Sequence, residues 1–197
     1  MGLMKLKNTY FLLRHGESRP NMRGVIVSGL RDGKKWRNTL TKHGRDQVAA
    51  SVREAKEAGM LDATTVIYSS PFSRCARTAA IARRVLGAKG RIVFDDRLRE
   101  RWFGDWEGTS SANYTKVWDA DMHDPRHGIA NVESAAAVRE RARGFVEDLE
   151  GRYEGRNILL VSHGDILQIM QTFFEERPAS EHRMLAHLRV AEVRKID

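Results

Sequence analysis

One run of five residues, Asn157-Ile158-Leu159-Leu160-Val161, constrains the fold of this chain more than any other stretch. It is continuously apolar, without alternation, which is the pattern of a strand covered on both faces in the middle of a parallel sheet. It then stops at Ser162-His163-Gly164. Two other apolar runs end in the same manner. Residues 9–13 stop at Arg14-His15-Gly16, and residues 64–68 stop at Ser69-Ser70-Pro71, with Arg74 one helical turn further on. Residues 91–94 and 187–196 read as further strands.

The segments between these runs carry helical spacing. Thr41 is suited to cap a helix reaching residue 58, with Val48, Val52 and Ala55 on one face and Gly59 as its stop. Ser69-Ser70-Pro71 opens a second helix, proline in its first turn, that ends at Gly87. A short helix is expected over 114–122, a long one from Ser134 to about residue 152, and another over 165–174. The long one carries Val138, Ala142, Phe145, Val146 and Leu149. Strands alternating with helices predict an α/β fold, a three-layer α/β/α sandwich on a largely parallel central sheet. No linker, internal repeat or low-complexity segment divides the 197 residues, so a single domain over 1–197 is expected.

Composition excludes several classes. Apolar residues make up 41% and charged residues 30%, as in soluble globular chains. No apolar run approaches the roughly 18 residues that suggest a membrane span. Met1-Gly2-Leu3-Met4-Lys5-Leu6 has leucine where myristoylation expects serine or threonine, and nothing resembles a signal peptide. A single cysteine, Cys75, cannot form an internal disulfide, so a reducing, cytoplasmic setting is expected. The net charge of +8 is spread along the chain with no run of five or six cations. No recognition-helix, RNA-binding aromatic or zinc-finger signature accompanies it, so no nucleic-acid partner is expected. A basic face that attracts small phosphorylated molecules accounts for the charge.

The three strand ends carry the chemistry. In an open α/β sheet, ligand sites form beyond the carboxyl ends of the strands. Each end here places a cation or an imidazole beside a glycine or a helix start, where anions bind. Arginine forks match phosphate oxygens, and a neutral imidazole flanked by arginines is a competent nucleophile. His15, in a solvent crevice rather than the core, is therefore the candidate nucleophile. A leaving alkoxide needs a proton, and Glu100, set among Trp102, Phe103 and Trp106, could supply one if desolvation raises its pKa. The alternative for Glu100 is a surface ion pair with Arg99 or Arg101. Residues 22–38 read as a long loop over the site. Its Arg23, Arg31, Lys34, Lys35 and Arg37 either face substrate, as for a second anionic group, or are merely solvated. Cys75 lacks the arginine six positions on that a cysteine-based phosphatase loop needs, since Ile81 stands there; it reads as a packed helix residue. Asp121, His123, Asp124 and His127 fit no standard metal spacing, so no metal and no cofactor are implied.

From Leu13 to Asp165 the chain resembles the histidine phosphatase superfamily, also called the phosphoglycerate mutase-like family. The matching pieces are Leu13-Arg14-His15-Gly16-Glu17-Ser18 with Asn21, Leu40-Thr41 with Gly44, and Ser70-Pro71-Phe72-Ser73-Arg74 with Thr78-Ala79. Leu98-Arg99-Glu100 with Phe103-Gly104, Trp106-Glu107-Gly108, and Ser162-His163-Gly164 complete them. The resemblance implies that His15 becomes a phosphohistidine, that Arg14, Arg74 and His163 form the phosphate pocket, and that Glu100 is the proton donor. It implies that Asn21 contacts phosphate or substrate; Ser28, Gly29 and Gly164 are further candidate contacts. Mutase relatives carry Tyr where Phe103 stands and an Arg-Arg pair where this chain has Ser111-Ala112-Asn113-Tyr114-Thr115-Lys116. Their absence points to hydrolysis of a small phosphorylated metabolite rather than mutase-type transfer. The remaining alternative, a regulatory protein that binds phosphorylated ligands without turnover, would be expected to have lost His15, Glu100 or His163.

Overall fold

A computed structural model describes residues 5–196; the Met1–Met4 part of the stretch read for myristoylation lies outside them. In chain order the elements are β1 (Thr9–Arg14), α1 (Arg19–Arg23), α2 (Leu30–Gly33), α3 (Lys42–Glu57), β2 (Val66–Ser69) and α4 (Ser73–Leu86). There follow β3 (Val93–Phe94), α5 (Tyr114–His123), α6 (Ala135–Arg152), β4 (Asn157–Ser162), α7 (Gly164–Phe174) and β5 (Val193–Ile196). The sheet runs β3-β2-β4-β1-β5, parallel throughout except for β5, which is antiparallel to β1 at the edge. β4 is the middle strand, as its apolar run requires.

Helices cover both faces. Phe11, Leu13, Ile67, Leu159 and Val161 pack on one side against Val48, Val52 and Ala55 of α3 and Cys75, Ala79 and Ala82 of α4. Tyr10, Leu12, Tyr68, Ile158 and Leu160 pack on the other against Ala142, Phe145, Val146 and Leu149 of α6 and Leu167 and Met170 of α7. Successive strand side chains alternate faces, so both faces of these strands are apolar. Among the described residues no helix is long and apolar enough to cross a membrane.

Among the boundaries that differ from expectation are those of α4, β3 and β5. Pro71 precedes α4 rather than opening it, because Ser69 still pairs within the sheet and Phe72 is the N-cap. β3 is two residues long. β5 begins at Val193, well after His187. Before it, Ala191 adopts φ +61°, and its N–H is held by the carbonyl oxygens of Arg14 and His15 at 3.1 and 3.2 Å. That anchor draws residues 187–190 over the end of β1 instead of along it.

The basic segment is likewise not one loop. Ser18 and Asn21 form a capping box that starts α1, and α2 follows. The buried Asn38 joins them, accepting from Arg23 Nη2 at 3.0 Å and donating to Asp32 O at 2.8 Å.

Gly44 holds α3 against the turn after His15. A Cβ there would lie 2.0 Å from Glu17 O and 2.7 Å from Glu17 N. Those neighbours are backbone and cannot rotate away. Gly44→Ala is expected to lower stability by ~1–3 kcal/mol and to reduce turnover by displacing the His15 turn. A thermal melt beside an activity assay checks both.

Candidate active site

Register aligns the three strand ends. Arg14 pairs with Ser162, Ser69 pairs with Val161, and His15 N donates to Ser162 O at 3.0 Å. His15 and His163 therefore leave the sheet at one level, with Ser70 one residue behind them. His15 opens onto a single pocket whose wall includes Arg14, His15, Asn21, Arg74, Glu100 and Gly164. Six of the sequence candidates thus share one cavity, with His163 directly behind them. His15 is 3% exposed, so it forms the pocket floor rather than standing in an open crevice.

Hydrogen bonds assign the imidazole protons. His15 Nδ1 lies 2.8 Å from Gly16 O, which can only accept, so Nδ1 carries the proton. Nε2 is then free to accept, and Arg74 Nε donates to it at 3.1 Å. The same Nε–H lies 3.1 Å from His163 Nδ1, so His163 carries its proton on Nε2 and donates to Ser70 Oγ at 2.8 Å. Arg74 Nη2 donates to Val27 O at 2.9 Å. Burial first, then the charges of Arg74 and Arg14, hold His15 well below the usual histidine pKa. Burial and Arg74 do the same to His163, with the other imidazole adding to the effect. Both rings are neutral at pH 7.

Gly164 is needed where it stands. A Cβ there would lie 3.0 Å from Arg14 Cζ, so glycine lets the guanidinium lie flat on the start of α7. Among the described residues, Arg14 Nε and Arg74 Nη1 are buried donors without a partner. A phosphoryl group would satisfy such donors.

Glu100 reaches the pocket on the loop after β3. Ser162 Oγ donates to Leu98 O at 2.6 Å, and Arg141 of α6 donates to Arg97 O and Arg99 O at 2.5 and 3.2 Å. Glu100 Oε1 accepts from Arg101 N at 3.0 Å and Ile166 N at 3.4 Å. Burial, then the nearby Asp165 carboxylate, pushes its pKa up to about 7. The aromatics sharing the pocket wall are Tyr114 and Trp118, whereas Phe103 packs behind with Ile26, Val117 and Val132. The ion-pair alternative fails: Arg99 pairs with Glu133, and the fully buried Arg101 pairs with Asp121 at 2.6 Å and Asp165 at 3.2 Å.

Other expectations are corrected. Ser28 and Gly29 do not line the pocket. Ser28 N–H and Oγ–H both donate to Glu107 Oε2, and Ser28 Oγ accepts from Phe103 N, so the residue ties the covering segment to the loop beyond Glu100. Gly29 packs on Trp102 and Glu107. Arg31, Lys34, Lys35 and Arg37 are also outside the pocket wall. Lys35 and Arg37 turn to Asp32, and Lys34 to Asp96. The segment instead contributes Val25 and Val27 to the wall, beside Pro20 and Asn21 of α1. Cys75 is packed inside, as expected, and lies 3.4 Å from His163 Nε2.

Sequence reasoning named none of Tyr114, Trp118, Asp165 and His187 as site residues, and all of these stand on the pocket wall. Trp118 Nε1 donates to Asp165 Oδ1 at 2.7 Å and stacks on Tyr114. The one local signal was an acid directly after His163-Gly164, at a helix start. No motif marks the others, which arrive from distant parts of the chain.

The family model for the histidine phosphatase superfamily (branch 1) matches residues 10–197. A Schizosaccharomyces pombe protein named "Probable phosphatase C1620.13" is 36% identical over 174 residues, covering 83% of this chain but 55% of its own length. The chain thus spans about half of that relative. An Escherichia coli protein named "Probable phosphoglycerate mutase GpmB" is 30% identical over 192 residues, covering 95% of this chain and 83% of its own. The solved structure of Bacillus stearothermophilus YhfR superposes with a TM-score of 0.75 at 28% identity, over 96% of this chain and 91% of that one. The matched span contains every strand of the sheet save the first residue of β1, and every group of the pocket described above. This chain belongs to the histidine phosphatase superfamily.

Proposed function

We propose that the chain is a metal-independent phosphomonoester hydrolase acting through a phosphohistidine on His15. The observation that carries this reading is the neutral His15 imidazole, its Nδ1–H fixed on Gly16 O and its Nε2 among Arg14, Arg74 and His163, with an acid of pKa about 7 in the same cavity. Its substrate is a small phosphorylated metabolite, and its setting is the cytoplasm, which suits the lone reduced cysteine.

In the first step His15 Nε2 attacks phosphorus as the ester P–O bond breaks. The Nδ1–H···O=C bond to Gly16 supports the positive charge that develops on the ring. Arg74 Nε turns from the imidazole to a phosphoryl oxygen, and Arg14 supplies a second fork. These guanidiniums give the preorganised positive charge that phosphoryl transfer requires. Protonated Glu100 delivers its proton to the leaving oxygen. In the second step the Glu100 carboxylate takes a proton from water, the water oxygen attacks phosphorus, and the P–N bond breaks to release phosphate and neutral His15.

Hydrolysis of a chromogenic aryl phosphate in excess EDTA is the direct test, with turnover expected. The similarity to a protein named as a phosphoglycerate mutase keeps one competing reading. Activity confined to 3-phosphoglycerate primed with 2,3-bisphosphoglycerate would decide for it. Against it, Phe103 is wholly buried and offers no hydroxyl, and Ser111–Asn113 carries no arginine pair.

A further inference from the structure

His187 stands on the pocket wall but belongs to none of the strand ends that build it. Arg14 reaches out to it: Nη1 lies 2.7 Å from His187 Nε2 and donates to Leu188 O at 2.8 Å. A guanidinium can only donate, so Nε2 is the accepting, unprotonated nitrogen. The ring proton is then on Nδ1, which donates to Gln168 Oε1 at 2.5 Å. Gln168 cannot reverse its amide, because its Nε2 donates to Leu185 O at 2.7 Å and a flip would set two acceptors against each other. A fully buried amide on α7 therefore fixes the tautomer of His187.

The consequence falls on Arg14. The Nη1 corner of its guanidinium is occupied by His187 and Leu188, while Nε, on the opposite edge, is buried and unpartnered among the described residues. The Nε and Nη2 hydrogens of a guanidinium point the same way and form a fork that fits two phosphate oxygens. We propose that His187 is a positioning residue, which with Gln168 holds Nη1 of Arg14 so that its Nε–Nη2 edge faces the phosphoryl group. This rests on the phosphatase reading for the identity of that group.

The clamp works while His187 is neutral, since a protonated Nε2 would oppose Arg14. The charged groups around the ring come from four places: Arg14 on β1, Arg183 on the turn at Ala179–Met184, Asp165 on α7, and Glu192 before β5. Partial burial of the ring and the two arginines outweigh the two acids and bring its pKa down to about 4, so the acceptor persists at pH values where an ordinary histidine is charged.

The test compares wild type, His187→Leu and His187→Gln, using inorganic phosphate in calorimetry and two esters, an aryl phosphate and glycerol phosphate, in turnover. His187→Leu removes the acceptor and is expected to weaken phosphate binding and lower kcat/KM by ~10–100-fold, the range of a lost hydrogen bond to a charged group. The loss should be equal for both esters, because Arg14 meets the phosphoryl group and not the alcohol. His187→Gln places a carbonyl oxygen near the former Nε2 and should restore most of the loss, which a purely structural role would not predict. Wild-type phosphate affinity in a folded His187→Leu protein would overturn the proposal. So would a loss confined to one ester with phosphate binding intact, since His187 would then contact the alcohol. The binding arm needs no turnover. A wild type that binds phosphate but hydrolyses no ester would sink the phosphatase reading and leave the His187 comparison decisive.

Discussion

His15→Ala is expected to abolish turnover, by ~10³-fold or more, because no other group in the pocket can take over bond formation to phosphorus. His163 cannot substitute. Its Nδ1 accepts from Arg74 and its Nε2 carries a proton held by Ser70. Cys75 cannot either, since burial pushes its thiol pKa far up and keeps it protonated. The fold should survive: the ring is neutral, and Arg74 Nε keeps His163 Nδ1 as an acceptor when the imidazole is gone. Rapid quench with a 32P-labelled ester should trap acid-labile, base-stable phosphate on wild type and none on the variant. Equal labelling of the two proteins would rule out His15 as the phosphorylated residue.

Glu100→Gln should separate leaving-group chemistry from phosphate binding. Poor leaving groups need a proton and should slow by ~10²–10⁴-fold, whereas activated aryl esters should slow far less in the first step. Equal slowing of both classes would remove the proton-donor role. For wild type, kcat/KM with a poor leaving group should fall as pH rises through about 7, where Glu100 loses its proton.

Stability supplies a second, independent readout of the same side chain. The folded pKa is raised from 4.5 to about 7, so the linked stabilisation is complete below 4.5 and is lost as pH rises through 7. Glutamine mimics the protonated acid and keeps the oxygen that accepts from Arg101 N and Ile166 N. The variant should match wild type at pH 4 and exceed it by on the order of 3 kcal/mol at pH 8.5. Stabilisation at alkaline pH on removal of a carboxylate is expected where the acid is held in a poorly solvated pocket. Melting curves from pH 4 to 9 check it, and parallel curves for the two proteins would contradict the raised pKa.

Much was already written in local sequence. The apolar run at 157–161, the caps Thr41 and Ser134, and the Gly87 stop each depend on neighbours within a few residues. The strands and helices they mark are found where local chemistry puts them. The strand-end motifs were legible for a related reason. A strand's carboxyl end is a position in the chain, and parallel pairing in register brings three such positions within one residue of the same level.

What tertiary structure decided alone depends on charges and contacts far apart in sequence. Nothing local turns Lys34 to Asp96, 62 positions on, or withdraws Ser28 to Glu107; so the basic segment supplies Val25 and Val27 to the pocket rather than its cations. Nothing local delays the start of β5 to Val193: the carbonyls of Arg14 and His15 hold Ala191, and that sets His187 beside Arg14. The raised pKa of Glu100 has the same origin, since burial and the Asp165 carboxylate come from a helix 65 residues later in the chain. Residue identity along the chain determined which groups could do the chemistry. Packing across the chain determined which of them meet, in which tautomer and in which charge state.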